Sequence, residues 1–586
     1  MRFNVQGNDI CHKFNRYGGT GKGYSSLSSL TLNFYCHEIT INKDFHSFVR
    51  QLRNLPRLKE LNLVFDDYYN WDDPWSPYNH PYSSESEIYK ILFPQLKYLS
   101  QLTRFKVTTY NTISNSCFKA LADGIRHLRN LSSFCMDLKF GCDRLSSTTM
   151  QKFAFAISRL NKLSHLDLKF KGERSPDPKS NDSLWKSLAR LENLVTLDLE
   201  VFKFLSLDSR SIKSFFESFK NLKSLSHLKL NFAECEEMST EMIESLLHGF
   251  KYLGKLQIPH SLKGGRELER LKRISEERYF GLNLKELIVS FPRVPAFTEE
   301  SAKGFAKFLL SMKRSLTYLS LDLTNLSRLT DKEMLEFFKH LSNLEVLKTL
   351  KLKFSDKPLT DYFIKNLSFR WSFLPNLSYL HLSFQRPSQI TNQGLRALSN
   401  GLSMTKKLSH LDLYFGLLPK VSDSSFQAFL YGLENLANLS SLKLDLSEFS
   451  QVNNKTIHAL SEALTSLHEL KELDLDFSHC ESLTNKALNY LVSGLRTLCR
   501  FKTFRLDLYN CQQVNEKGIE YLARGLEDLR NLSYVWLDIY KSKSISREYM
   551  RQISKKLKEK ISFFSYSLEE TDYDYLFYDA RRKRKQ

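Results

Sequence analysis

The sequence predicts an α/β repeat solenoid in which short parallel strands alternate with helices. Three observations carry this reading: a repeat near 31 residues, period-two hydrophobicity in its first half, and helical periodicity in its second. The stretches LKELDLDF from Leu470, LSSLKLDL from Leu439 and LSHLDLYF from Leu408 each place apolar residues at positions 1, 4, 6 and 8. They begin 31 residues apart. The same template starts at Leu27, Leu58, Leu102, Leu131, Leu163, Leu194, Leu225, Leu253, Leu284, Leu316, Leu347, Leu377, Leu408, Leu439, Leu470, Phe501 and Leu532, which makes 17 copies. Leu253 is the weakest match, and a degenerate eighteenth copy starts at Phe563.

Positions 4, 6 and 8 alternate with polar residues, so each copy opens with a strand that buries one face. After Leu483, Thr484 is placed to cap a helix whose buried stripe is Leu488, Leu491, Leu495 and Leu498. Phe426, Phe429, Leu433 and Leu436 repeat that spacing, as do Ile519, Leu522, Leu526 and Leu529. Thr330 with Glu333 has capping-box spacing, and Thr391, Ser422, Asn453 and Asn515 occupy equivalent places. One strand and one helix cannot bury their apolar faces alone, so neighbouring copies must stack. The expected layout is a cap segment at 1–26, a solenoid at 27–568 and a basic tail at 569–586. The strands line the concave face and the helices the convex one.

This pattern resembles the leucine-rich repeat, and its long helical half is similar to the ribonuclease-inhibitor-like class. The phrasing LSHLDL…F is also similar in style to large repeat families of ciliated protists. The resemblance covers residues 27–568 and implies a curved horseshoe that recognises protein partners. Where the family consensus turns the chain with Asn or Cys, this chain usually has Phe at position 8, as at Phe65, Phe170, Phe384 and Phe477. A phenylalanine spine is the expected replacement for the polar ladder.

Composition narrows the remaining possibilities. The apolar fraction is 42% and the charged fraction 26%, which suits a packed soluble chain. Lys and Arg total 85 against 65 Asp and Glu, a net charge of +20 too dilute to imply nucleic acid. Nine Cys without a CxxC pair argue against a disulfide or zinc framework. Neither a signal-peptide core nor an 18-residue apolar run is present, so the cytoplasm is the expected compartment. The Asn-Leu-Ser sequons at Asn130, Asn366, Asn376, Asn438 and Asn531 are read as parts of the repeat. The cluster RRKRK at Arg581 to Lys585 leaves the nucleus, or contact with RNA or acidic protein, as an alternative.

No catalytic constellation is found, and no cofactor or metal is expected. Lys22 follows Gly21 but precedes Gly23, which breaks the phosphate-loop pattern. His165, His227, His381 and His410 fall singly on outward strand positions. Cys235, Cys480 and Cys511 share one offset, expected to be a small buried slot.

Candidate binding residues therefore sit on the concave face and on one insertion. The step from Leu58 to Leu102 is 44 residues, and the extra loop at about 66–95 carries Trp71 and Trp75. Arg104, Lys106, Lys139 and Lys169 are expected to form a basic patch. Position 7 reads Asp445, Asp476, Asp507 and Asp538 in four consecutive copies, beside Glu472, Asp474, Tyr534 and Trp536. In the expected alternative to a binding site, Lys443 and Arg505 neutralise alternate members of this row. These features point to a non-enzymatic scaffold whose partner is basic where it meets the acidic row. The alternatives are a structural subunit of a large assembly and, further off, a GTPase-activating repeat protein.

Overall fold

The computed structural model describes residues 2–6, 27–35, 41–53, 55–66, 85–110, 113–138, 145–170, 178–201, 209–231, 284–291, 299–324, 330–354, 359–384, 389–415, 418–449, 452–541 and 544–567. Its contacts group the chain into two compact units, residues 1–316 and 317–586.

The first unit runs β1 (Arg2–Gln6), β2 (Ser29–Tyr35), α1 (Lys43–Leu52), β3 (Glu60–Asp66), α2 (Glu85–Leu92), β4 (Arg104–Thr109), α3 (Asn115–Ile125), β5 (Ser133–Leu138), α4 (Ser147–Ser158), β6 (His165–Phe170), α5 (Pro178–Leu188), β7 (Thr196–Val201), α6 (Ser209–Ser218), β8 (His227–Asn231), β9 (Glu286–Ser290) and α7 (Glu299–Ser311). The second runs β10 (Tyr318–Asp322), α8 (Asp331–Phe337), β11 (Thr349–Phe354), α9 (Asp361–Ser372), β12 (Tyr379–Phe384), α10 (Asn392–Ser403), β13 (His410–Phe415), α11 (Asp423–Tyr431), β14 (Ser441–Asp445), α12 (Asn454–Leu464), β15 (Glu472–Asp476), α13 (Asn485–Leu495), β16 (Thr503–Asp507), α14 (Glu516–Glu527), β17 (Tyr534–Asp538), α15 (Arg547–Lys558) and β18 (Phe563–Ser567). Within each unit every strand pairs in parallel with the next, so the predicted α/β repeat solenoid of leucine-rich-repeat type is what the chain forms.

β8 pairs directly with β9, His227 opposite Glu286, and the weak match at Leu253 lies outside the described residues. One repeat assignment changes. At the other end Tyr534 lies opposite Phe563, which makes Phe563 position 3 and buried Ile561 the true start. The apolar residues Ile561, Phe563 and Phe564 allowed a two-residue slip that the register removes. β1, within the expected cap segment, pairs with β2 and extends the sheet toward the N-terminus.

Packing follows the repeat. Inward residues such as Leu442, Leu444, Leu473 and Leu475 are essentially inaccessible, while positions 3, 5 and 7 stay open. The phenylalanine spine exists in segments. Phe34 stacks on Phe65 at 5.0 Å, and Phe384 stacks between Phe354 at 5.6 Å and Phe415 at 6.0 Å. Helices are capped as expected: Thr330, Thr391, Ser422, Asn453, Thr484 and Asn515 each accept backbone N–H groups, and Thr330 with Glu333 closes a capping box. Neighbouring helices approach closely at Gly494, where a Cβ would meet the Ser461 carbonyl oxygen at 2.6 Å.

Polar ladders are present after all, ahead of the strand rather than after it. Asn130, Asn376, Asn438 and Asn531 each donate a side-chain N–H to a carbonyl of the preceding repeat, at 2.7–3.0 Å. Ser132, Ser378, Ser409, Ser440 and Ser533 donate their hydroxyls to carbonyls across the same junctions. The Asn-Leu-Ser tripeptide is thus a structural clamp that satisfies carbonyls between stacked repeats. Asn366 differs, because it lies on α9 and donates to the Tyr362 carbonyl.

Candidate functional site

The open face of the second unit's sheet carries an array of polar and aromatic side chains in register. Parallel pairing without register slips stacks equal repeat positions on neighbouring strands about 4.8 Å apart. Position 5 therefore becomes the row Lys351, His381, Asp412, Lys443, Asp474, Arg505 and Trp536. Rings flank it from the adjacent rows: Tyr318, Tyr379, Tyr534 and Phe563 at position 3, and Tyr414 at position 7.

These side chains hold one another. The Tyr379 hydroxyl donates to Asp412 Oδ2, which also lies 3.4 Å from His381 Nδ1. Lys351 Nζ sits 4.6 Å from the Tyr379 ring centre and 5.7 Å from that of Tyr318. Lys443 reaches Asp474 Oδ2 at 3.0 Å and lies 5.5 Å from the Tyr414 ring. Arg505 approaches Asp474 from the other side at 4.0 Å and covers Tyr534 at 5.4 Å. Tyr534 in turn stacks on Phe563 at 4.6 Å with 7° between the rings.

Electrostatics follow from this partial burial. Burial pushes the Tyr379 hydroxyl up, and its bond to Asp412 adds to the rise. Burial also lowers Lys351. Against an opposing burial cost, the bonds from His381 and Tyr379 hold Asp412 below the usual carboxylate range.

The position-7 carboxylates occupy a more enclosed setting. Asp445, Asp476, Asp507 and Asp538 each accept the backbone N–H of the residue two ahead, at 3.1, 2.9, 2.8 and 2.9 Å. Asp322 does the same for Thr324 at 3.2 Å. Each aspartate is therefore an Asx turn that ends its strand. Three positions later Glu448, His479, Asn510 and Lys541 all take a left-handed conformation, with φ of 57–61°. Asp538 is fully buried. Burial and the neighbouring carboxylates Asp476 and Asp538 push Asp507 up to about 8, and Asp476 is raised for the same two reasons. Lys443 and Arg505 pair with Asp474 instead of neutralising this row.

On the first unit's sheet several cations are paired. Arg104 pairs with Glu60 at 2.9 Å, Lys169 with Asp167 at 3.1 Å and Lys229 with Asp198 at 3.0 Å. Lys106 lies in register with Cys135, whose thiol donates to Asp167 and is pushed up to about 12, chiefly by burial. Arg104 and Lys106 share β4 while Lys169 is two strands away. Lys139 lies outside the described residues, as do Trp71, Trp75 and Cys235.

The remaining candidates resolve locally. His165, His227 and His410 each bond through Nδ1 to the serine before them, at 2.8–2.9 Å. Cys480 and Cys511 fill the expected slot and donate to the Leu446 and Phe477 carbonyls at 3.3 and 3.1 Å. Among the described residues there is no group of three or more metal-ligating side chains, and no helix is long and apolar enough to cross a membrane. Sequence reasoning overlooked Asp412 and Tyr414, although reading position 5 down successive copies would have shown the alternating charges. No known protein-family model matches the chain, and no curated protein matches its sequence.

Proposed function

We propose that the chain is a non-enzymatic scaffold of ribonuclease-inhibitor-like leucine-rich repeats that binds protein partners on the open face of its sheet. The observation that carries this reading is the strip from Tyr318 to Phe563. Its charged and aromatic side chains are fixed by mutual ion pairs and ring contacts, so little side-chain entropy remains to be lost on binding. Tyr, Trp and Arg are also the side chains that most often anchor interfaces. Outward positions of β14–β16 hold the carboxylates Asp445, Glu472, Asp474 and Asp476 against two cations, Lys443 and Arg505, while Asp507 and Asp538 are too enclosed to add to this charge. This favours a partner with a basic surface. Residence in the cytoplasm belongs to the same reading.

A permanent place in a larger assembly is the second reading. It is favoured by α15, whose last turn carries Lys555, Lys556 and Lys558. Size-exclusion chromatography of native extract separates the two, since an adaptor runs partly as a free 68.6 kDa chain and a subunit only in a particle. The face itself is tested by affinity capture with a Glu472→Lys, Trp536→Ala variant beside wild type. A partner captured by wild type and lost by the variant supports the site. Equal capture by both overturns it.

A further inference from the structure

The helical layer of the second unit carries a feature that the sheet-face reading does not use. Seven large apolar side chains are exposed among the described residues, and five lie on or at the ends of the consecutive helices α9, α10 and α11. They are Tyr362 at 63%, Phe369 at 60%, Phe373 at 51%, Met404 at 52% and Tyr431 at 40% exposure. Along α9 the first three are spaced by seven and four residues, so they form one stripe opposite the buried Phe363, Ile364, Leu367 and Trp371. Phe369 and Phe373 touch edge-to-face at 4.7 Å. Phe373 and Met404 each stand four residues before a repeat start, and Phe369 and Tyr431 each stand eight before one. The repeat therefore brings Phe373 and Met404 side by side at the same ends of adjacent helices, while Tyr431 stands two helices from Phe369 with Asn400 at the equivalent place between them.

Cations surround this patch. Lys365 projects from the same stripe of α9, Arg396 is exposed on α10, and Lys406 and Lys407 follow Met404 in the next turn. Lys339 stands at the position equivalent to Phe369 on the preceding repeat; its carbonyl accepts from Arg370 Nη1 at 2.8 Å, and its Nζ is paired with Glu336 at 3.2 Å, so it adds little free charge. Glu434 is the carboxylate that follows Tyr431 on this side.

We propose that this patch is a peripheral docking surface for an anionic lipid bilayer. Three physical points select that occupant. Exposed apolar side chains in contiguous patches mark interaction sites. Aromatic rings framed by Lys and Arg match the bilayer interface, where rings settle at headgroup depth and cations meet anionic headgroups. Each ring also stands proud of the helices, at least 40% exposed, instead of lining a cleft. A fluid interface accepts protruding rings without a matching pocket, whereas a protein partner must supply one. The net charge of +20 brings the chain toward any anionic surface, and the rings determine which face meets it.

The test is co-sedimentation of the full chain with vesicles of phosphatidylcholine, with and without phosphatidylserine, at physiological salt. Two variants, Phe369→Ser with Phe373→Ser and Lys406→Glu with Lys407→Glu, change only exposed side chains. An unchanged thermal midpoint checks that each remains folded. Wild type is expected to sediment with the phosphatidylserine vesicles, and each variant to bind roughly tenfold more weakly. Retention of wild-type binding by the ring variant overturns the proposal and assigns binding to net charge. Equal binding to uncharged vesicles overturns the anionic requirement. Absence of sedimentation by wild type overturns the proposal in favour of an acidic protein partner.

Discussion

Replacing Asp507 by Asn should stabilise the protein in a strongly pH-dependent manner. The substitution keeps the side chain's shape and the oxygen that accepts the Tyr509 N–H, and it removes only the charge. Burial, with Asp476 and Asp538 on the adjacent strands, raises this carboxyl from 3.8 to about 8. The folded chain thus holds the proton more tightly than the unfolded chain does. Its contribution to stability is fully present below about pH 4 and is lost as the pH rises through about 8. At about 1.4 kcal/mol for each pH unit, the span sets an upper limit of roughly 6 kcal/mol. Coulomb repulsion gives the same order: two unit charges at about 5 Å and an effective dielectric near 20 repel by roughly 3 kcal/mol, and Asp507 has two such neighbours. Asp476, on the adjacent strand, is raised as well and shares the effect. The assay is urea denaturation followed by intrinsic tryptophan fluorescence, which avoids the charge screening of guanidinium. At pH 9 the Asn variant should exceed wild type by several kcal/mol, and at pH 4 the two should coincide. A pH-independent difference, or a less stable variant at pH 9, would refute the reasoning.

Other substitutions test other parts of the structure. Phe384→Ala removes the ring stacked between Phe354 and Phe415 and should cost about 3–5 kcal/mol by urea denaturation; a loss under about 1 kcal/mol would contradict the spine. Glu448→Gly relieves an exposed left-handed residue and should raise stability by about 0.5–1 kcal/mol, seen as a higher melting midpoint. Asp412→Ala strips the acceptor from the Tyr379 hydroxyl and should cost about 1–3 kcal/mol at neutral pH. Because Asp412 titrates below its ordinary 3.8, that difference should hold above about pH 4 and shrink as the pH falls further.

Much of the architecture was legible because the repeat imposes it many times over. Strand positions, helix stripes and caps such as Thr330 with Glu333 follow from local spacing, and one copy's ambiguity is corrected by its neighbours. The phenylalanines at position 8 likewise announced a buried column. Local pattern failed where pairing between distant residues decides, as in the bonds of Asn130 and Ser132 to carbonyls of the preceding repeat, which no single copy displays. The same limit applied to Ile561, because only the ladder opposite Tyr534 distinguishes it from Phe563 as the repeat start.

The candidate site divides along the same line. The sequence by itself determined that Asp445, Asp476, Asp507 and Asp538 stand in one row, since register is set by repeat length. Their role was decided by the tertiary structure. Whether a carboxylate faces solvent or bends back to its own backbone depends on the loop that follows, here turned by left-handed residues at Glu448, His479, Asn510 and Lys541. The pairing of Lys443 and Arg505 with Asp474 was also a tertiary choice, because each cation had carboxylates of two rows within reach. Charge order along a strand is written in the sequence. Which charges meet is fixed by side-chain geometry and burial between strands.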